Sequence, residues 1–365
     1  MSQKKYTKRS LDSIVKDGFS LTDRKGKLTD LSLISLRTGL RSYFATYSSM
    51  MNFLHLFEPN STAPLDKADF AHALEYIENS TEAILHLQHF AELVCKDLLR
   101  DEHPILASDA ANDSVILAKM LSNDALTDDE IDGLKSLEFS SALERLLKLH
   151  DSGQLKKNSA IFIKNNQAAL KTLNQLRNRL LHRGRYILRY DALDEFIGGH
   201  VLSFIKEALK LPRYKDLKFI WKYPQLTCGI DPLDEIEAEL RSPTYDLRKV
   251  ALLKELGRAA YASPLYENLF GQFENMTLSQ RAEASASTDE IDAYAVRDCP
   301  VCGVKALIMY ASTEVDGEPE DETATLIYRH TYEVYCTCCT FSTNSYLNNP
   351  KDYGLSIDDL WFEIK

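Results

Sequence analysis

At 365 residues, with 44% hydrophobic and 27% charged side chains, the chain is long enough for two or three compact units with cores of their own. Its 54 acidic and 43 basic residues leave a formal net charge of −11, which excludes a protein coated in polyanion-binding surface and confines any such site to a local patch. The basic start, Met1 to Arg9, leads into no apolar run, and no run approaches the roughly 18 residues that span a bilayer, so a cytoplasmic protein without membrane contact is expected.

Taken in order, residues 1–63 read as an N-terminal helical or extended region. A polar lead-in carries turn chemistry at Asp23 to Lys27, and one or two helices follow over 31–57 with a break near Gly39. Residues 64–211 read as a central up-and-down helical bundle. Its four main helices span about 67–99, 137–149, 158–182 and 191–209, the last broken at Gly198 and Gly199. Pro64 and Asp66 open the first helix and His103-Pro104 stops it, while Thr127 before Asp128, Asp129 and Glu130 marks a lesser helix start. His72, His86, His89 and His103 have no ligand-set spacing and read as surface or satisfied histidines. Residues 212–290 form a helical connector and linker, with aromatic anchors Phe219, Trp221 and Tyr223, a helix over 247–273, and an Ala/Ser-rich linker or exposed helix over 277–288. Residues 291–365 change character to short β-like runs at 305–312 and 326–335. The fold class is therefore mainly α with a small C-terminal β unit.

Those runs surround five of the seven cysteines. Cys299 with Cys302, and Cys336 with Cys339, make two Cys-x-x-Cys knuckles separated by 33 residues, a spacing that suits a tetrahedral structural Zn²⁺ in a reducing compartment. The pattern resembles a zinc ribbon. Cys338 is the extra thiol, able to replace a neighbour only with poorer knuckle geometry. Four thiolates close the coordination sphere, so no catalysis by the metal is expected. Glu314, Asp316, Glu318, Glu320, Asp321 and Glu322 between the knuckles repel phosphate, so the ribbon reads as a protein-contact, sensing or stability module.

A second concentration of chemistry lies upstream. From 152 to 190 there is no Asp or Glu, yet the window holds Lys156, Lys157, Lys164, Lys171, Arg177, Arg179, Arg183, Arg185 and Arg189. Within it, Arg177 and Asn178 precede His182, and Gly184 signals the helix end. Arg-x₄-His spacing alone decides little, because 18 arginines and nine histidines give about half a match by chance. Arg145 and His150 are in fact a second match. Asn178, however, stands four residues before His182 on one helical face. Arg177 is about 140° around the helix but long enough to bend to the same edge, and Arg179 is also in reach. A fixed cation, a carboxamide and an imidazole in a positive field define a phosphate-handling site, with RNA as the expected phosphate.

The Arg177-Asn178-x-x-x-His182 stretch, on the penultimate helix of a four-helix unit, resembles the HEPN superfamily of ribonucleases. His89 to Lys96, with Glu92 and Lys96, looks like the Glu-x-x-x-Lys first helix of bacterial members, and Leu137 to Leu146 like their middle helix. The resemblance covers about 68–210. It implies metal-independent endoribonuclease activity of toxin or defence type, on tRNA or other cellular RNA, in a composite cleft of a homodimer. It implies His182 as acid/base at the 2′-OH or the leaving 5′-oxygen, Arg177 at the scissile phosphate, and Asn178 as orienting group, while Lys171, Arg179, Arg183, Arg185 and Arg189 would hold RNA. Some members carry Tyr two residues after the His; here that place is Gly184, with Tyr186 two further on, so regulation through that tyrosine is not expected. Against this stands a structural reading, in which the arginines are solvated, His182 caps the helix, and Glu92 with Lys96 is a plain i,i+4 pair. A non-catalytic helical and zinc-ribbon adaptor for a protein or nucleic-acid partner is the competing function.

Overall fold

The computed structural model describes residues 10–15, 31–58, 61–62, 69, 71–109, 113–122, 124–127, 130, 134–155, 160–265, 272–288, 293–316 and 325–364. It is mainly helical, with a C-terminal antiparallel sheet. Helix α1 (Leu31–Ala45) lies along the 29-residue α2 (Leu74–Glu102), about 43 Å long at 1.5 Å per residue. The buried positions of α2, among them Tyr76, Ser80, Ala83, Leu87, Phe90, Val94 and Leu98, keep three- and four-residue steps, which is why one face stays with the core over eight turns. His103, extended before Pro104, ends it. Helices α3 (Phe139–Asp151) and α4 (Gln167–Arg183) pack on α2. The expected single helix over 158–182 is two pieces, Ile161–Asn165 and α4, joined at Asn166. Helix α5 (Tyr190–Phe196) runs through a π turn, Ile197–Val201, into α6 (Leu202–Ala208).

Of the glycines expected to break helices, Gly39 does not, and Gly198 with Gly199 interrupts the α-helix only by a π turn. Helix α1 runs through Gly39 and the helical path continues through Gly198. At Gly39 an added Cβ would lie 2.9 Å from Leu87 Cγ, and at Gly198 it would overlap Leu240 of α7 (Pro232–Leu240). Both glycines admit a neighbouring helix, and the cost in helix propensity is about 1 kcal/mol each. The chain leaves α1 later, in turns over 46–53.

Helix α8 (Leu247–Ala262) is the most enclosed element. Val250 to Gly257 is buried without interruption, so its polar groups must be partnered inside the protein. Lys254 donates to Asp194 of α5 at 2.7 Å, both side chains wholly buried, and the ammonium lies over the rings of Tyr190 (3.9 Å) and Tyr43 (4.9 Å). Burial pushes Lys254 down to about 8 and Asp194 up, the sign of a pair held against its own desolvation. Helix α9 (Gln272–Thr288), where an exposed helix or linker was expected, buries Ala282 and Ala286 and packs on the sheet.

The sheet comprises β1 (Ala293–Asp298), β2 (Lys305–Asp316), β3 (Thr325–Cys336), β4 (Ser342–Asn344) and β5 (Glu363–Ile364), antiparallel in the order β1-β2-β3-β4, with β5 further along the β4 edge of β3. One contiguous core joins helices and sheet, from Leu33 through Phe204 and Leu253 to Leu360. Of the acidic run between the knuckles, Glu318, Glu320, Asp321 and Glu322 lie outside the described residues, as do Lys156 and Lys157.

Breaking the buried pair from one side should be costly. Lys254→Ala strands a carboxylate among aromatic rings and is expected to lower unfolding free energy by about 3–5 kcal/mol in urea denaturation, whereas Lys254→Met with Asp194→Leu should recover most of the loss.

Candidate active site and metal centre

Helix α4 anchors itself through Leu170, Leu173 and Leu176, which are buried at three-residue steps, and ends at Gly184, whose φ of 59° is the left-handed cap expected there. The opposite face holds Asn178 and His182, while Arg177 lies at the edge of the buried stripe. Arg177 and Asn178 are half-buried, and Arg177 Nη1 donates to Asn178 Oδ1 at 3.0 Å. Asn178 therefore orients the guanidinium, not the imidazole. His182 is exposed, one turn beyond Asn178, with no hydrogen-bond partner among the described residues.

The acid-free window is neutralised at its ends by acids from elsewhere. Lys164 pairs with Asp151 at 2.8 Å and Arg189 with Asp69 at 2.9 Å. Arg189, expected to hold RNA, is thus engaged in fixing the loop after α4. Beside it, Tyr76 donates to the Leu188 carbonyl at 2.6 Å and the Tyr190 amide donates to His72 at 3.1 Å. Between these ends, no described carboxylate is within 4 Å of Lys171, Arg177, Arg179, Arg183 or Arg185. Arg179 lies over the Tyr186 ring at 5.2 Å, and Lys171 lines a groove of about 300 Å³ against α3 with Phe139, Leu143 and Leu147.

The rival match separates cleanly. Arg145 points inward and donates to the carbonyls of Leu106 (2.9 Å) and Ser108 (3.2 Å), tying down the segment after α2. Glu92 and Lys96 are the i,i+4 pair considered above, at 2.6 Å, with Gln88 adding a bond to Glu92. His89 is matched with Ser35, and His103 with the Ile105 amide. A cleft of about 840 Å³, lined by Glu58, Asp191, Glu195, Glu239, Asp246 and Arg248, is distinct from the α4 face.

The four predicted metal ligands converge. Cys299, Cys302, Cys336 and Cys339 bring their sulfurs within 4.8 Å of one another, with Cys299–Cys339 at 3.6 Å and Cys302–Cys336 at 3.8 Å. A tetrahedron with metal–sulfur bonds of about 2.3 Å needs edges of about 3.8 Å, so the set fits a metal ion such as Zn²⁺. Cys338 is buried but outside the set. The two knuckles are built alike. In the first, Gly303 N–H donates to the Cys299 carbonyl and Cys299 N–H to that of Val304, both at 2.9 Å. In the second, Thr340 N–H donates to the Cys336 carbonyl at 2.9 Å and Cys336 N–H to that of Phe341 at 2.8 Å. Gly303 (φ 75°) and Thr340 (φ 59°) occupy the same left-handed position.

Both knuckles are gripped by the helical part of the chain. The amides of Thr227 and Cys228 donate to Val301 (3.1 Å) and Pro300 (2.9 Å). On the second knuckle, Arg258 donates to Thr340 Oγ1 (3.2 Å) and to the Thr340 carbonyl, while Glu255 holds Arg258 through two bonds of 2.7 Å and accepts the Ser342 amide at 2.7 Å. Burial raises the Glu255 carboxyl above its ordinary range, against the pull of Arg258. Glu255 and Arg258 were not singled out from the sequence; the clue was Thr340 standing where the first knuckle has glycine. The chain is thus defined as a mainly helical protein with a C-terminal antiparallel sheet carrying a four-cysteine cluster that could bind a structural metal. It matches no family model, no curated protein and no solved structure. Among the described residues no helix is long and apolar enough to cross a membrane.

The ligand set is directly testable. Cys339→Ser should abolish the one bound metal per chain measured by elemental analysis of purified protein, whereas Cys338→Ser should leave it at wild-type stoichiometry.

Proposed function

We propose that the chain is a metal-independent endoribonuclease of toxin or defence type, acting as a homodimer in which two α4 faces line one cleft and tRNA or another cellular RNA is cut. The observation that carries this reading is the end of α4: an exposed imidazole one turn from a carboxamide that holds a guanidinium, beside Arg179, Arg183 and Arg185, which have no carboxylate partner among the described residues.

The chemistry follows from those groups. His182 takes the proton of a ribose 2′-OH as its oxygen attacks the adjacent phosphorus. An imidazolium, here or on the second protomer, returns a proton to the departing 5′-oxygen. Arg177, steered by Asn178, offsets the charge that builds on the non-bridging oxygens. The products carry a 2′,3′-cyclic phosphate and a 5′-OH. Lys171, Arg179, Arg183 and Arg185 would track flanking phosphates; Arg189 would do so only by exchanging Asp69 for phosphate. Zn²⁺ in the four-cysteine site would be structural, since four thiolates leave no open position. The resemblance to HEPN ribonucleases set out above supports this reading, and a cytoplasmic location suits it.

Incubated with total RNA in EDTA, the wild-type protein should generate fragments ending in cyclic phosphate. His182→Ala and Arg177→Ala should each reduce the rate by about 10²–10⁴-fold with unchanged circular dichroism. Arg145→Ala should instead lower thermal stability. A His182→Ala chain that kept its full biological effect would move the function to the adaptor reading.

A further inference from the structure

The second metal-ligating knuckle closes on a residue ill suited to its backbone. Thr340 is β-branched, yet it holds a φ of 59°, where the equivalent turn of the first knuckle has Gly303. It is also the one described non-glycine residue with positive φ. Such a turn persists when its surroundings over-determine it, and here the surroundings are a pair one helical turn apart on α8. Arg258 grips both the hydroxyl and the carbonyl of Thr340, and Glu255 grips both Arg258 and the amide of Ser342, two residues on. Thr340 follows Cys339 directly, so the guanidinium is fixed one residue from a ligand. Four thiolates around a dication leave a net charge of about −2, which a fixed cation at that place offsets.

We propose that Glu255 and Arg258 form a latch that keeps the second knuckle closed, slowing loss of the metal and making its retention and the packing of α8 one cooperative unit. The inference rests on the four thiols holding a metal and is independent of the ribonuclease reading. It has a converse. With the metal gone and the knuckle slack, Glu255 and Arg258 are left buried with partners that drift, so the helices too lose stability.

The test uses full-length zinc-loaded protein and follows zinc release into a chromogenic chelator, with helix melting by far-UV circular dichroism alongside. Arg258→Ala should release zinc about 10–100-fold faster, the range typical of outer-shell changes at metal sites. Adding Thr340→Gly, which removes the backbone strain the latch restrains, should return the rate to within about threefold of wild type; a general loss of packing would not be rescued this way. Chelation of wild-type protein should lower the helix melting temperature. Should Arg258→Ala fail to fold, Arg258→Lys replaces it, with several-fold faster release and the same rescue. Zinc release at the wild-type rate from Arg258→Ala or its Lys substitute, no rescue by Thr340→Gly, or an unmoved melt after chelation would each overturn the latch. A wild-type chain that binds no zinc in equilibrium dialysis would remove the metal reading and the latch together, whereas zinc bound normally with unaltered release removes the latch alone.

Discussion

Everything in this fold is tied to the charges buried along helix α8. Lys254 and Glu255 are buried and Arg258 half-buried, and each is held by a different part of the chain: Asp194 of α5, the Ser342 amide in β4, and the turn at Thr340. A buried ion without its partner costs several kcal/mol, far more than any of the exposed pairs on this surface returns. The three elements must therefore arrive together. Hydrophobic burial can tolerate a sliding helix; a lysine in a tyrosine cage and an arginine seated on one carbonyl cannot. These bonds join the amide ties of Thr227 and Cys228 in fixing the helices against the sheet.

The candidate active face inherits that rigidity without lying in the core. Asp194, fixed by Lys254, stands four residues after Tyr190, and the chain just before Tyr190 is pinned to the start of α2 by Tyr76, His72 and Asp69. The stretch from His182 to Arg185 is exposed and is held at both ends, by the leucine stripe of α4 and by these bonds. Catalytic groups need positions good to a fraction of an ångström and freedom from competing partners. A helix end anchored on both sides but unpaired at its tip meets both demands.

Periodicity was enough to find the long helices, because a face buried over many turns imprints three- and four-residue steps on the sequence. The two Cys-x-x-Cys pairs were enough to pick the four cysteines that the structure brings together, because Cys338 offers poorer knuckle geometry. Gly39 misled, since a residue that breaks an isolated helix also serves where another helix comes close, and sequence does not say which. Glu255 and Arg258 were invisible for the opposite reason: an acid three residues before a base is the commonest solvated pair on a helix surface, and only tertiary enclosure makes it a latch. Arg177 and Arg145 carry the same spacing to a histidine. What separates them is whether backbone carbonyls already occupy the guanidinium, which local sequence does not encode.

The distribution of charge bears on how a polyanion could approach. With a net charge of −11, the chain as a whole repels RNA, but at physiological salt that repulsion is screened beyond about 8 Å. Inside that distance the local field decides. The acid-free window gives up Lys164 and Arg189 to Asp151 and Asp69, and these pairs fix its ends, while no described carboxylate pairs with Arg177, Arg179, Arg183 or Arg185 between them. On the proposed reading, these four side chains would meet a few phosphates. In the proposed homodimer a second copy of the same face would double both the charge and the number of imidazoles beside one ligand.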